Sequence, residues 1–401
     1  MESINLFLMS TGTNEEEMFF KKVLKKFEKE FGVEVCLTRA SWNNAFSRLI
    51  KDFKRGKSPD VFQLGTTWVQ TFAYLGFLAR VPSFVLRPGL TDWLNDCCKF
   101  YDKWVAQPWT IDIRALMLKE KFLKSRGISI SDIKNSGAFL NICRKLSMEN
   151  KKGNISAQPY PFTIRREADL LHRFTSWHWA FGRSFPQLRN GTGEILRNSS
   201  CLKTLDYIFD LMKTGKLTKK EIKTHPYEIY LGFLNRDEYV FFHGAWEPRF
   251  EVDGDYKYEL LPMPVGGSDY YYWAGGNVLA VSSQTQNRKL SWQLIKFLLK
   301  DNIMKRWIKI CVSLPAFDCQ FWNDFIHIPN IRMGYEQIVR SKSYPCNPLW
   351  SVIEKRMSVG ISDYFWKRLI ENQSKEQAYI SLEKADIEIN RLIDLNWQEK
   401  V

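Results

Sequence analysis

The stretch that most constrains the fold is residues 59–82, PDVFQLGTTWVQTFAYLGFLARVP. It opens with an apolar run that is typical of a strand buried on both faces, as in a parallel sheet covered by helices. A polar turn and a helix follow the run. Ligands of open α/β sheets bind beyond the carboxyl ends of the strands, so Thr66, Thr67 and Trp68 are candidate ligand-binding residues. An ordinary strand–helix joint, with Thr66 or Thr67 as the N-cap, explains the same residues equally well.

The segments before this stretch predict the same kind of sheet. Residues 4–10 and 33–39 have strand character, and the helix between them has apolar positions near the 3.6-residue period. The alternation of strands and helices predicts parallel pairing with right-handed crossovers. Thr13, in the turn after the first strand, and Trp42, at the start of the second helix, are further candidate ligand-binding residues at this edge of the sheet.

Length and composition indicate a globular chain of more than one domain. A chain of 401 residues exceeds what one core usually organises, and its 45% hydrophobic and 25% charged residues are ordinary globular values. No apolar run reaches the length of a transmembrane helix. The start, MESINLFLMSTG, has no signal-peptide pattern and no lipobox cysteine. The expected location is therefore the cytoplasm for the sequence as it stands, or the periplasm or cell exterior if a leader has been removed.

The rest of the composition indicates which kinds of chemistry the chain could perform. Eight scattered cysteines without a CxxC pair indicate a reduced compartment, and no metal site or cofactor is expected. The net charge of +14 comes from Lys and Arg interleaved with Glu, which favours a basic surface over nucleic-acid binding. Fifteen tryptophans favour a carbohydrate cleft, because sugar rings stack on aromatic faces. No GxSxG, P-loop or HExxH motif is present, so catalysis has little support.

Five segments in order along the chain resemble the extracellular solute-binding proteins of family 1, the sugar-binding partners of ABC importers. The first contains PDVFQLGTTWV, the third contains WHWAFG, and the fifth contains LPMPVGG and, further on, GGNVLAV. The five segments are residues 59–82, 107–127, 169–185, 231–250 and 259–299.

The resemblance implies an α/β fold of the two-lobed periplasmic-binding-protein class, type II. Each lobe is expected to be a mostly parallel sheet flanked by helices, and three crossings form the hinge. The N-terminal lobe is expected at 1–109 plus about 275–315, and the C-terminal lobe at 110–274 plus about 316–401. The ligand cleft is expected between the two lobes.

The resemblance also implies further ligand-binding residues. Asp112 and Arg114 could instead pair with each other, Trp177 could be a core residue, and Glu247 could form a surface ion pair with Arg249. The candidates implied by the resemblance are Trp109, Asp112, Arg114, Trp177, Trp246, Glu247, Trp273, Gly276 and Asn277.

The function implied is carbohydrate binding by hinge closure, as the solute-binding component of an ABC sugar importer. The expected partners are a mono- or oligosaccharide and an ABC permease, and the chain is expected to be a monomer without enzymatic activity. Three alternatives stay open: a cytoplasmic sugar sensor that signals to a regulator or kinase, a glycoside hydrolase, and a homologue that has lost sugar binding. The last is suggested by departures from the family pattern at Met117, Leu118, Arg183 and Ser313.

Overall fold

The structure is a computed structural model of the 401-residue chain. It describes residues 2–9, 13–151, 164, 168–186, 193–215, 219, 233, 240–244, 259–265, 269–311, 313–327 and 329–398. Within these ranges, no helix combines the length and the apolar character that crossing a membrane requires.

The described residues form strands and helices in alternation through the first third of the chain. The strands are β1 (Ser3–Met9), β2 (Glu34–Ala40), β3 (Val61–Gly65), β4 (Lys99–Phe100), β5 (Lys103–Trp104), β6 (Gln107–Leu118), β7 (Val240–Gly244), β8 (Glu259–Leu261), β9 (Tyr272–Val281), β10 (Leu314–Pro315) and β11 (Ser341–Lys342). The helices are α1 (Asn14–Phe31), α2 (Trp42–Lys54), α3 (Val69–Tyr74), α4 (Asp92–Cys97), α5 (Glu120–Lys124), α6 (Ser136–Lys151), α7 (Ala168–Ala180), α8 (Ser199–Met212), α9 (Arg288–Leu298), α10 (Asp301–Cys311), α11 (Pro329–Ile338), α12 (Trp350–Leu369) and α13 (Lys375–Gln398).

These elements belong to two compact units. Unit 1 holds the described residues up to Asp112 and from Ala274 to Ser351, and unit 2 holds those from Ile113 to Trp273 and from Val352 onward. The boundaries fall inside β6, inside β9 and near the start of α12. Among the residues that the structure describes, the assignment to a unit therefore changes three times along the chain.

The sheet of unit 1 has the strand order β10-β6-β9-β3-β1-β2. β1 pairs in parallel with β2, where Leu6 lies opposite Leu37, and with β3, where Leu6 lies opposite Val61. β9 runs antiparallel to β3, and its residue Asn277 lies opposite Gly65. The parallel β1–α1–β2–α2–β3 arrangement that the sequence predicts is confirmed, and β9 adds an antiparallel strand beside it.

Helix α1 shows how the local sequence sets these elements. The Thr13 hydroxyl accepts a hydrogen bond from the Glu16 amide, and the acidic first turn suits the helix N-terminus. Gly32 ends the helix with a φ of +67°, a left-handed conformation in which glycine carries no Cβ penalty. Between these ends Phe20 and Phe27 are fully buried, so α1 covers one face of the sheet.

Unit 1 extends further along the chain than the sequence indicated. The third crossing was expected near residue 315, whereas unit 1 continues to Ser351. Hydrogen bonds hold this extra segment to unit 1: Trp93 Nε1 donates to Ser341 Oγ at 3.0 Å, and Thr71 Oγ1 donates to the Pro348 carbonyl at 2.7 Å. These contacts join residues far apart in sequence, so local patterns could not place the boundary.

Unit 2 is built around the second half of β6. Leu118 of β6 lies opposite both Val240 of β7 and Glu259 of β8, and both pairings are antiparallel. α7 packs against α8, with Trp177 and Ile208 fully buried in the helical core. β6 itself is buried at eleven of its twelve positions rather than at alternate ones.

Candidate functional site

Three aromatic side chains meet in unit 1 at the carboxyl ends of β2 and β3. Trp42 and Trp68 have ring centroids 5.7 Å apart, and Phe46 meets Trp68 edge-on at 5.3 Å. Trp42 is 39% exposed, while Phe46 and Trp68 are half-buried. We call Trp42, Phe46 and Trp68 the aromatic platform. It presents apolar ring surface to solvent at the sheet edge where α/β proteins bind ligands.

The sequence builds the aromatic platform from two strand–helix joints. β3 ends at Gly65 and passes into a 3₁₀ turn over Thr66–Trp68, whereas β2 ends one residue before the N-cap of α2. The Trp42 ring lies against Gly65, where a Cβ would be 3.4 Å from the ring, an ordinary van der Waals distance. Parallel strands end at the same edge of a sheet, and this brings residues 42 and 68 together.

Several polar groups predicted near this edge have local structural roles. Thr66 is buried and Thr67 is half-buried in the 3₁₀ turn, and Thr13 caps α1. Ser41 occupies the N-cap position of α2, but its side chain makes no cap hydrogen bond. Ser41 therefore has an exposed hydroxyl beside Trp42.

A buried hydrogen-bond network of side-chain amides and hydroxyls includes Gln63 of β3. Gln63 Oε1 accepts from the Met9 amide at 2.9 Å, and Gln63 Nε2 donates to Asn277 Oδ1 at 3.0 Å. Asn277 Nδ2 donates in turn to Thr110 Oγ1 at 3.0 Å. The Asp112 carboxylate accepts from Ser313 Oγ at 3.0 Å. Asn277 and Asp112 are thus committed to contacts that fix β3, β6 and β9 relative to each other.

Two other predicted residues of unit 1 are explained by packing. Trp109 is 2% exposed and stacks on Trp307 with centroids 5.2 Å apart and planes 8° from parallel. A Cβ at Gly276 would lie 2.2 Å from the Thr110 carbonyl oxygen, so only glycine fits between β9 and β6. Gly276 therefore lets two backbones approach each other, and direct ligand contact by Trp109 and Gly276 stays a prediction.

In unit 2 the predicted residue Arg114 belongs to a group of charged side chains, and the predicted residue Trp273 packs against this group. Arg114 pairs with Asp169, and Arg173 Nη2 lies 2.6 Å from the second oxygen of the same carboxylate. The Arg114 guanidinium lies over the Trp273 ring at 5.0 Å. We call Arg114, Asp169, His172, Arg173 and Glu354 the charged cluster.

His172 sits within the charged cluster as a neutral base. Its ring stacks on Trp273 at 4.4 Å, and its Nε2 lies 3.3 Å from Glu354 Oε1. Burial and, after it, the Arg114 charge lower the pKa of His172 to about 3, while the charge of Asp169 opposes the shift. The imidazole is therefore uncharged at neutral pH.

Sequence reasoning missed Asp169, His172, Arg173 and Glu354. The first three lie in the segment DLLHRF, where a spacing of four places Asp169 and Arg173 on one helix face. That spacing could have predicted an ion pair between Asp169 and Arg173. Glu354 lies on another helix far along the chain, and no pattern in the sequence connects it to His172.

The remaining predicted residues lie in the core or outside the description. Trp177 is fully buried and packs on Phe139 and Tyr207, with centroids at 5.9 and 5.2 Å, which favours its alternative role as a core residue. Trp246 and Glu247 lie outside the described residues.

The described residues include no group of His, Cys, Asp and Glu side chains that could hold a metal ion. A cavity of about 450 Å³ in unit 1 shares no residue with the aromatic platform. Its lining includes Glu30, Phe84, Arg87, Lys296 and Asp301.

Known proteins with the same fold cover nearly the whole chain. A solute-binding protein of an ABC transporter from Thermotoga lettingae, solved with α-D-tagatose, matches with a TM-score of 0.80 at 18% identity, over 97% of this chain and 100% of its own. Maltose-bound MalE3 of T. maritima matches with a TM-score of 0.79 at 16% identity, over 98% and 100%. MalX of Streptococcus pneumoniae, solved with maltopentaose, matches with a TM-score of 0.75 at 15% identity, over 96% and 99%. The expected periplasmic-binding-protein fold of type II is thereby confirmed.

Sequence comparison gives the family. The diacetylchitobiose-binding protein DasA of Streptomyces coelicolor is 30% identical over 107 residues, which is 26% of this chain and only a quarter of DasA. A family model described as bacterial extracellular solute-binding protein matches residues 22–318, which is most of the chain. The resemblance noted from the sequence is confirmed, and the chain belongs to the bacterial extracellular solute-binding protein family.

Proposed function

We propose that this protein binds a carbohydrate and delivers it to an ABC permease. The aromatic platform carries the proposal, because Trp42 offers an exposed ring face and Trp68 stands beside it at an angle of 59°. Aromatic rings stack on the apolar faces of sugars, and nearby polar groups such as the Ser41 hydroxyl can bond sugar hydroxyls. The relatives support the ligand class, since their names report tagatose, maltose, maltopentaose and diacetylchitobiose.

The platform is rigid enough to act as a preformed binding surface. Phe46 meets Phe72 at 5.7 Å as well as Trp68, and Phe72 is fully buried between α3 and the sheet. The rings therefore rest on the core of unit 1 and lose little freedom when a ligand arrives. Such preorganisation lowers the entropic cost of binding.

The test is a calorimetric titration of the intact protein with a panel of mono- and oligosaccharides, repeated with Trp42→Ala. Loss of one stacked ring face is expected to weaken binding roughly tenfold or more, equivalent to about 1.4 kcal/mol. Tyr335→Ala is the matched control, because Tyr335 is an aromatic residue of unit 1 that is 47% exposed and lies on α11. Equal affinity of the Trp42→Ala variant and the parent for every bound sugar would overturn the proposed site.

The proposal includes three finer expectations. The bound sugar is released unchanged, which chromatography of the sugar after prolonged incubation checks. The chain is a monomer, which sedimentation velocity checks with and without sugar. An ABC permease is the partner, and sugar-dependent stimulation of its ATPase activity in proteoliposomes is the expected result. Closure of the two lobes over the ligand also stays a prediction.

A further inference from the structure

Two cysteines of unit 1 lie side by side although they are 249 residues apart in sequence. The Sγ atoms of Cys97, at the end of α4, and Cys346, between β11 and α12, are 3.7 Å apart. A disulfide requires about 2.0 Å between sulfurs, so a shift of roughly 1.7 Å joins them. The two free thiols are thus close to bonding distance.

Helix α3 holds the two cysteine segments in place. Gln70 Nε2 donates to the Cys97 carbonyl at 3.3 Å and to the Lys99 carbonyl at 2.7 Å. The next residue, Thr71, donates from Oγ1 to the Pro348 carbonyl at 2.7 Å and lies 2.9 Å from Ser351 Oγ. One short helix therefore positions the backbone beside both sulfurs.

The two thiols differ in a way that suits stepwise disulfide exchange. Cys346 is exposed, whereas Cys97 is 5% exposed. The hydrogen bond with Cys97 lowers the pKa of Cys346, while the same hydrogen bond and burial raise the pKa of Cys97. The accessible sulfur is thus also the one favoured as a thiolate, which is the attacking species in exchange.

We propose that Cys97 and Cys346 form a reversible disulfide by exchange with a small disulfide such as oxidised glutathione. The Cys346 thiolate attacks one sulfur of the small disulfide, which forms a mixed disulfide and releases one small thiolate. The Cys97 thiol loses its proton to that thiolate, and its sulfur then attacks Cys346 Sγ. The second small thiolate leaves, so two protein thiols are oxidised while one small disulfide is reduced to two thiols.

The Cys97–Cys346 disulfide would form beside the segment that follows the aromatic platform. Thr71 and Gln70 lie two to three residues beyond Trp68 in the same short segment. Cys346 lies five residues before Ser351, the last residue of unit 1 before the chain enters unit 2. Oxidation therefore ties the exit segment of unit 1 covalently to the end of α4, and α3 contacts both segments through the hydrogen bonds of Gln70 and Thr71.

The experiment incubates the intact, reduced protein with oxidised glutathione and follows it by mass spectrometry of the whole chain and of its peptides. The expected product has lost two hydrogen atoms and yields one peptide pair that links Cys97 to Cys346. Closing so long a loop is expected to raise the melting temperature by about 5 °C or more, and dithiothreitol is expected to reverse the shift.

Four variants separate this proposal from other cysteine chemistry. Cys97→Ser and Cys346→Ser are expected to abolish the linked peptide, and Cys98→Ser, which removes the buried neighbour, is expected to retain it. Thr71→Val, which removes the hydrogen bond to Pro348, is expected to slow bond formation severalfold without blocking it. A glutathione adduct that persists on Cys346 with no internal bond would overturn the proposal, and so would a Cys98–Cys346 link.

Discussion

The aromatic platform of unit 1 and the charged cluster of unit 2 are built in opposite ways. The platform consists of uncharged rings that are partly open to solvent, and it rests on an apolar core. The charged cluster buries Arg114 and Arg173 at 3% and 2% exposure and compensates them with the carboxylate of Asp169. A ligand can reach the aromatic platform at little cost in free energy, whereas the side chains of the charged cluster already pair with one another.

This contrast separates residues that a ligand can use from residues that the fold uses. Buried charges are stable only when they are paired, so removing one partner costs far more than the pair itself contributes. Altering an exposed ring costs the protein much less stability, but such a ring supplies the surface that a ligand contacts. Mutations in the charged cluster should therefore lower the stability of the fold, whereas mutations in the aromatic platform should weaken ligand binding.

The largest effect is expected from Asp169→Ala in the charged cluster. The change leaves two buried guanidinium groups without their shared carboxylate, and we expect a loss of about 3 kcal/mol in the free energy of unfolding. This value lies at the lower end for a buried pair because Asp169 is 26% exposed. Urea denaturation followed by circular dichroism measures the loss.

Arg144→Ala is the matched control for Asp169→Ala, since Arg144 pairs with Asp210 at 2.9 Å with both side chains about half exposed. Its removal is expected to change stability by about 0.5 kcal/mol or less. If Asp169→Ala cost no more stability than Arg144→Ala, the charged cluster would not be a stabilising unit.

A smaller effect is expected from lowering the pH, and it acts through His172. The folded-state pKa of about 3 lies below the usual value of 6.5. Well above pH 6.5 the ring is neutral in both states, so its contribution to stability is complete. As pH falls below 6.5 the unfolded chain takes up a proton that the folded chain resists, and stability declines until about pH 3. Between pH 7 and 5 the loss is expected to be about 1–2 kcal/mol.

His172→Gln isolates this effect from the other titrating groups. The pH slope of the unfolding free energy, taken from urea curves at several pH values, should be shallower in the variant than in the parent between pH 7 and 5. The groups that face the ring are Arg114, Arg173, Asp169 and Glu354. A parent protein whose His172-dependent stability rises on acidification would show that the carboxylates outweigh burial and the arginines, contrary to the expected sign.

The sequence anticipated the platform better than the charged cluster, and the reason is physical. Trp42 and Trp68 each follow a strand of a parallel sheet, and the carboxyl ends of such strands converge whatever the rest of the chain does. The partners of Arg114 come from α7, and the neighbour of His172 comes from α12, so tertiary packing alone brings them together.

The same reasoning explains the tryptophans that were nominated for ligand contact and are buried. Trp109 and Trp177 belong to motifs that resemble the family, but a motif does not state which way a ring points. Gly276 was singled out for its backbone freedom, and the structure shows that this freedom serves the approach of β9 to β6. Element types were readable from sequence periodicity, whereas the stacking partner of Trp109 and the close neighbour of Gly276 lie more than a hundred residues away along the chain.

The smallest effect is expected where the two regions differ most, in the pH dependence of binding. Trp42, Phe46 and Trp68 carry no ionisable group, so stacking of a neutral sugar on the platform should be indifferent to protonation. We expect the dissociation constant of the bound sugar to change by less than about twofold between pH 7 and 5, even while stability falls. Titration calorimetry at each pH measures it, at a temperature where the parent and His172→Gln are both fully folded. If the affinity is equal in the two proteins and does not change with pH, sugar binding is independent of the charged cluster. A tenfold change that disappears in His172→Gln would instead mean that His172 acts on the ligand, and the charged cluster would have to be counted as part of the binding machinery.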